Sequence, residues 1–388
     1  MRHRVRRGFL VLGTLLWVIL AWNNTVITGE MLEGYHSAKF CSNCHQDIYN
    51  TWSKAMHANA VKDPIFEANF LLALKDGDEE VRAYCLKCHA PTTRMTKDIY
   101  LKQELTWEGV TCDFCHSISA VDLANSNEPF TIEPGDTKYG PYRDAVSKVH
   151  KTKYSELHLT SEFCAGCHEL KNKNGVPILE TYSEWKKGPY AALGKTCQQC
   201  HMPLEEHAKI VLPEVKQSTK RVNTHNLQGG HSIQQLTTAA KVKIASVKRS
   251  QESLIIEVEI SNEGSGHMIP TGTPSRKLDL SVELRDGDKV IDRQVVRYEK
   301  MISDQEGNRL WRDVDIMLKG AKIVSDNRLS PKEKRKQVFI FPNPKKQNFS
   351  INANLTYNYQ PLVIQVSPME ITMGEDTQKV SGSVVSTR

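Results

Sequence analysis

Hydrophobic and polar residues alternate with a period of two only in the C-terminal part of this 388-residue chain. Leu254, Ile256, Val258 and Ile260 alternate with Glu257 and Glu259. Leu278, Leu280, Val282 and Leu284 alternate with Asp279, Ser281 and Glu283, and Phe349, Ile351, Ala353, Leu355 and Tyr357 with polar neighbours. That period predicts strands with one buried face. Asp286-Gly287, followed by Val290 and Ile291, predicts a hairpin turn. Together these strands predict an antiparallel, immunoglobulin-like β-sandwich over 236–373, with 374–388 as a polar tail.

Residues 30–235 lack a long periodic stretch. Short helices are expected at 48–60 and 64–74, and 131–142, with its Pro and Gly residues, reads as loop. Ahead of them, Arg2, Arg4, Arg6 and Arg7 precede an apolar run from Gly8 to Trp22, the pattern of an export signal. The run is shorter than the roughly 20 residues that span a bilayer, although Thr25 to Gly29 extend it. No Ala-x-Ala cleavage site follows, so 1–29 reads as a signal anchor rather than a removed signal peptide, with 8–29 holding the chain at the membrane. The fold class expected is α + β and multidomain, a mostly helical and loop domain followed by the β-sandwich.

Chemistry enters through the cysteines. All ten lie in five Cys-x-x-Cys-His motifs: Cys41, Cys44 and His45; Cys85, Cys88 and His89; Cys112, Cys115 and His116; Cys164, Cys167 and His168; and Cys197, Cys200 and His201. Cysteines three apart share one helical turn and can form thioethers with both vinyl groups of a porphyrin, while the adjacent His ligates its iron. One isolated pair reads equally well as half a zinc site or a redox dithiol. With 14 histidines in 388 residues, His after all five pairs by accident has a probability of about one in ten million. The expected cofactor is therefore haem c (heme c), five copies, covalently bound. Export fits, because such haems are attached on the outer side of the plasma membrane, making the expected location periplasmic or the outer face of the plasma membrane.

The porphyrins change two bulk readings. The formal charge of +6 becomes about −4 once ten propionates ionise, so nucleic acid is not an expected partner. Five porphyrins between Cys41 and His201 also supply core volume that aliphatic side chains would otherwise fill. The motif starts are unevenly spaced, which excludes a strict tandem repeat.

His45, His89, His116, His168 and His201 are the proximal ligands. Candidates for the distal positions are His57, His150, His158, His225, His231 and His267, with His36 and His207 weaker and Met56, Met95, Met202 and Met268 ranked below them. Imidazole on both faces keeps iron low-spin with little geometric change between oxidation states, which suits electron transfer.

The segments CSNCHQDIYNTWSKAMHANA, GVTCDFCHSI, YSELHLTSEFCAGCH and TYSEWKKGPYAALGKTCQQCHMP resemble multihaem cytochromes of the cytochrome c-554 type, over roughly Phe40 to His231. That family shares its haem arrangement with hydroxylamine oxidoreductase and pentahaem nitrite reductase. The resemblance implies haems packed as stacked and perpendicular pairs. It also implies that His57 is the distal ligand of the haem on Cys112 and Cys115, and that one of His150 and His158 and one of His225 and His231 are ligands. Gly266 to Gly272 resembles a motif of members with an added β domain, so His267 either reaches back to a haem or is a buried turn histidine.

The expected function is electron transfer, mostly through bis-histidine haems, between a membrane-side donor and another redox protein. One rival is reduction or oxidation of a small nitrogen or sulfur compound at a five-coordinate haem. The family points to the haem on Cys85 and Cys88, although no Cys-x-x-Cys-Lys motif is present. Another rival is a membrane-anchored, quinol-oxidising cytochrome. Homo-oligomers and filaments stay open.

Overall fold

The computed structural model describes residues 31–75, 79–205, 208–211, 222–359 and 369–381. The predicted signal anchor, His207 and the last seven residues lie outside these. No described helix is long and apolar enough to cross a membrane.

The N-terminal part is a run of short helices, and each motif sits on one: Ala38–Ser42 and its C-terminal turn, Glu79–His89, Cys112–Cys115, Glu162–His168 and Cys197–His201. The last begins with a reciprocal cap in which Thr196 and Gln199 satisfy each other's backbone amides. The helix expected over 48–60 spans only Gln46–Trp52. Asn59 Nδ2 donates to the Ala55 carbonyl at 2.8 Å and to that of Ser53 at 3.3 Å, taking acceptors that a continuing helix would use. Pro64–Lys75 matches its expectation. The stretch read as loop over 131–142 instead carries strand pieces, Phe130–Ile132 antiparallel to Ile118–Val121 and Thr137–Gly140 parallel to Lys151–Tyr154. These pieces brace the third motif, whose His116 bonds the Tyr139 carbonyl.

The C-terminal part consists of seven long strands: β1 (Ala240–Arg249), β2 (Ser253–Asn262), β3 (Arg276–Asp286), β4 (Lys289–Tyr298), β5 (Lys334–Pro342), β6 (Phe349–Tyr359) and β7 (Met369–Val380). Two antiparallel sheets result, ordered β1-β2-β5 and β4-β3-β6-β7. The β3–β4 hairpin turns at Asp286-Gly287, where Gly287 takes φ +57° without the cost a side chain would bring. Inward residues of both sheets meet in one core, Leu254, Ile256, Val258 and Ile260 against Leu278, Leu280, Val282, Ile351, Ala353 and Leu355, nearly all at 0% exposure. Between the haem-attachment motifs, by contrast, the described residues form only small apolar clusters, such as Val61, Phe70, Leu86 and Ala90.

One boundary moves. The polar tail expected from 374 is in fact the second half of β7, paired with β6 through Val380. Its polarity reflects an edge strand with one solvated face, and Asp376 Oδ2 accepts from the Ile244 amide at 2.7 Å, tying β7 to the other sheet.

Since Leu280 is fully enclosed in the larger core, Leu280→Ala should cost about 2–5 kcal/mol. Urea unfolding of the holoprotein followed by circular dichroism in the β region measures it. A loss below about 1 kcal/mol would mean that this core does not set the stability of the β domain.

Candidate metal centres

Each motif histidine follows a helical turn that carries its two cysteines, and in four of the five the fold fixes the ring with a main-chain carbonyl. His45 Nδ1 donates to Ile210 at 2.5 Å, His89 to Ala60 at 2.9 Å, His116 to Tyr139 at 2.6 Å and His201 to Gln228 at 2.5 Å. A carbonyl only accepts, so Nδ1 carries the proton and Nε2 keeps the lone pair that iron needs. Burial pushes the Cys85 and Cys115 thiols up to about 12. The Cys88 and Cys197 thiols move the other way, drawn down to about 7 by hydrogen bonds with Cys167 and Cys164. Among the described residues no group of three or more His, Cys, Asp and Glu side chains is placed to hold a bare metal ion. The residues present therefore fit covalent haem.

Two imidazoles bound on opposite sides of one metal, at about 2.0 Å each, have ring centroids about 6 Å apart. Three ring pairs meet that spacing: His45 with His150 at 6.3 Å, His168 with His57 at 6.1 Å and His201 with His267 at 6.3 Å. His150 Nδ1 donates to the Lys151 carbonyl, leaving Nε2 free; His267 Nδ1 donates to that of Met268, and Ser265 Oγ lies 3.0 Å from Nδ1 and 3.5 Å from Nε2. The resemblance implies the third motif for His57; here its ring lies across from His168 of the fourth. The turns from Ser53 to Val61 aim it there, and the same loop offers Ala60 to His89.

His116 has two neighbours. The His158 ring lies 5.6 Å away, but its Nε2 donates to the Cys115 carbonyl at 3.2 Å, and its Nδ1 is buried without a partner. His225 spends Nδ1 on the Asn223 carbonyl at 2.9 Å and is close enough to His116 for each imidazolium to disfavour the other. Burial pulls His57, His158, His225 and His267 down to about 4, so all four are neutral at pH 7. His89 differs from the other four. Among the described residues no imidazole stands across from it, and its ring stacks on Phe66 at 3.9 Å, too close for an ion between them. His231 meets Tyr359 edge-on and His36 stacks on Phe40, neither against a motif histidine. Met56 and Met95 are exposed.

The motifs also approach one another. The thiols of Cys41 and Cys112, of Cys88 and Cys167, and of Cys164 and Cys197 are within hydrogen-bonding reach. Cys115 is close enough to act electrostatically on Cys164 and Cys167. The fourth motif thus adjoins the second, third and fifth.

Residues around His267 lock the β domain onto this array. Sequence reasoning missed them because their partners are far apart in the chain. Asn262, buried, donates to the His267 carbonyl at 2.9 Å. Arg328 Nη1 donates to Glu184 Oε1 at 2.7 Å and to the Pro270 carbonyl at 3.1 Å, while Nη2 meets Asp326 at 2.8 Å. Thr271 Oγ1 donates to Glu184 Oε2 and lies 2.8 Å from Thr181 Oγ1. The buried Lys300 donates to Glu180 and to the Pro177 carbonyl, both at 2.6 Å.

Residues 40–117 match the family described as cytochrome c554 and c-prime. The fold is that of the penta-heme cytochrome c552 from Thermochromatium tepidum, 22% identical, with TM-score 0.72 over 90% of this chain and 100% of that one. A CARDB domain from Pyrococcus furiosus, 16% identical over 38% of this chain and 86% of its own, superposes with a TM-score of 0.20, too low to bear on the fold. No curated protein matches. With its Cys-x-x-Cys-His helices, its carbonyl-fixed histidines, this family match and this shared fold, the chain is a multihaem c-type cytochrome with an added C-terminal β domain.

Proposed function

We propose that the chain binds five c-type haems and conducts electrons along them between redox partners. Haem c held at these sites supplies one-electron Fe(III)/Fe(II) chemistry. The observation that carries the reading is the set of facing imidazoles, three at 6.1–6.3 Å across three motif histidines. Two neutral histidines per iron favour a low-spin centre whose ligands need not rearrange. The assignments proposed are His150 opposite His45, His57 opposite His168 and His267 opposite His201. His225 takes the position opposite His116, because His158 is tied to Cys115, on the proximal turn of that same motif.

Thiol proximity supports the route. It runs from the first motif to the third and on to the fourth, which adjoins both the second and the fifth. Partner docking at either end, a quinol-linked membrane donor, periplasmic location and anchoring through residues 8–29 belong to the same proposal and rest on the basic leader and the chemistry of haem attachment. The immunoglobulin-like reading of the two sheets stands as a proposal beside them.

A second reading has one observation in its favour, since no described imidazole faces His89. The haem on Cys85 and Cys88 would then accept a small molecule on its free side. Ferric electron paramagnetic resonance should show four low-spin haems and one that binds cyanide or nitric oxide quickly and stoichiometrically. Turnover of hydroxylamine or nitrite at that haem would favour the enzyme. Five inert low-spin haems would remove it, and two or more open haems would sink the imidazole pairing.

pH gives an independent check. A histidine whose pKa is lowered from 6.5 to about 4 by folding contributes stability that is present above 6.5 and is lost as pH falls through about 4. Low-spin signals should therefore hold from pH 8 to pH 6 and collapse only near or below 4, where protons compete with iron for Nε2. His267→Ala should turn one haem high-spin at pH 7 and leave the rest, read by magnetic circular dichroism. An unchanged spectrum would return His267 to a turn residue.

A further inference from the structure

Arg276 opens β3, beside the loop that carries His267, and its charge is favoured electrostatically by Tyr357, Tyr359, Asp313 and Asp63. Nη1 donates to the Thr271 carbonyl at 3.2 Å, the Tyr359 ring lies 5.5 Å from the guanidinium carbon, and Nε is sealed from solvent without a partner. No carboxylate of the described residues forms an ion pair with it. Of the two carboxylates that act on it from a distance, Asp313 and Asp63, Asp313 is buried and already accepts from Tyr359 at 2.9 Å, with Ser275 and Thr273 also bonded to it. Burial pushes that carboxyl up, towards the neutral acid.

The surroundings are built to keep the guanidinium in place. Gly272, at φ +88°, has no side chain, and a Cβ there would collide with Arg276 Nη1. A Cβ on Gly230 would approach the Tyr357 hydroxyl to 3.0 Å. A buried cation costs several kcal/mol unless an anion meets it. The fold has kept this one, cleared space around it and, among the described residues, paired no acid with it directly.

The position says which anion. Thr271, which accepts from Arg276, touches Thr181, and Thr181 begins the helix in which the Ser183 amide and hydroxyl both donate to Glu169, the residue after His168. Arg276 also acts electrostatically on His168 itself. We propose that Arg276 is a carboxylate site contributed by the β domain, that it pairs with a propionate of the haem held by Cys164, Cys167 and His168, and that its charge raises that haem's reduction potential. This rests on haem attachment at the fourth motif, which mass analysis of the holoprotein tests separately.

A guanidinium beside a haem stabilises the electron-rich ferrous form, so Arg276→Gln should lower one of the five midpoints and leave four. Spectroelectrochemical titration of the holoprotein reads this, with the fourth-motif haem marked by His57→Met. Arg276→Lys, which keeps the charge, should restore most of the shift. Unchanged midpoints in Arg276→Gln overturn the proposal, as does a shift confined to a different haem. If added sulfate or phosphate moves that midpoint in anion-depleted wild type, the occupant is a dissolved anion and the propionate assignment fails. Should Arg276→Gln not take up its haems, infrared redox-difference spectra of wild type with carboxyl-¹³C haem decide. An ionised, paired propionate is expected, and a protonated one refutes the pairing.

Discussion

An imidazole binds iron only through a nitrogen that carries no proton, and this chain settles which nitrogen that is with main-chain carbonyls. Ile210, Ala60, Tyr139 and Gln228 each take the Nδ1 proton of a motif histidine. None of the four belongs to the motif it serves. Ala60 is in the loop that presents His57, Tyr139 in a short strand, and Ile210 and Gln228 beyond the last motif. The small strands and turns that look irregular are thus there to place acceptors. A segment with few aliphatic residues can hold such precision because the porphyrins fill the space between the pieces.

The β domain follows from the same requirement. His267 sits on the loop between β2 and β3, and its ring can face His201 only if the whole sandwich is fixed relative to the haem-attachment part. The buried network of Arg328 with Glu184, Asp326 and Thr271 provides that fixing. Replacing such an ion network with apolar residues often leaves stability unchanged or improves it, so burial alone does not explain its presence. Direction does: a planar guanidinium bridging two carboxylates and the Pro270 carbonyl fixes an orientation, three residues from the ligand, that greasy packing leaves loose. Lys300 on Glu180 repeats the device at a second point.

What was legible in the chain and what was not divides along sequence distance. The motifs are local, so all five attachment helices could be read directly, as could the alternating strands and the turn at Gly287. The partner of His57 is a long-range fact. Resemblance placed it on the third motif, whereas the turn after Trp52 carries it to His168, and no spacing in the sequence encodes that turn. The end of β7 was misread for a physical reason, since an edge strand with a solvated face has the composition of a tail. Arg276 carries no local signal either. Its one trace is Gly272, four residues ahead, whose missing side chain makes the room.

The arrangement is not a simple wire. If the motifs are connected as their thiols lie, the fourth adjoins three others and the second adjoins only it. The second is also the motif whose histidine has Phe66 beside it and, among the described residues, no facing imidazole. A haem at a branch end, able to take a ligand from solution, would exchange electrons with the main path only through the fourth. Control over the potential at the fourth haem would then govern the branch and the through-route together. In the proposed assignments the β domain would supply the charge of Arg276 near that junction and the ring of His267 to the haem beyond it. On this argument the added domain would tune the point where the conducting row divides.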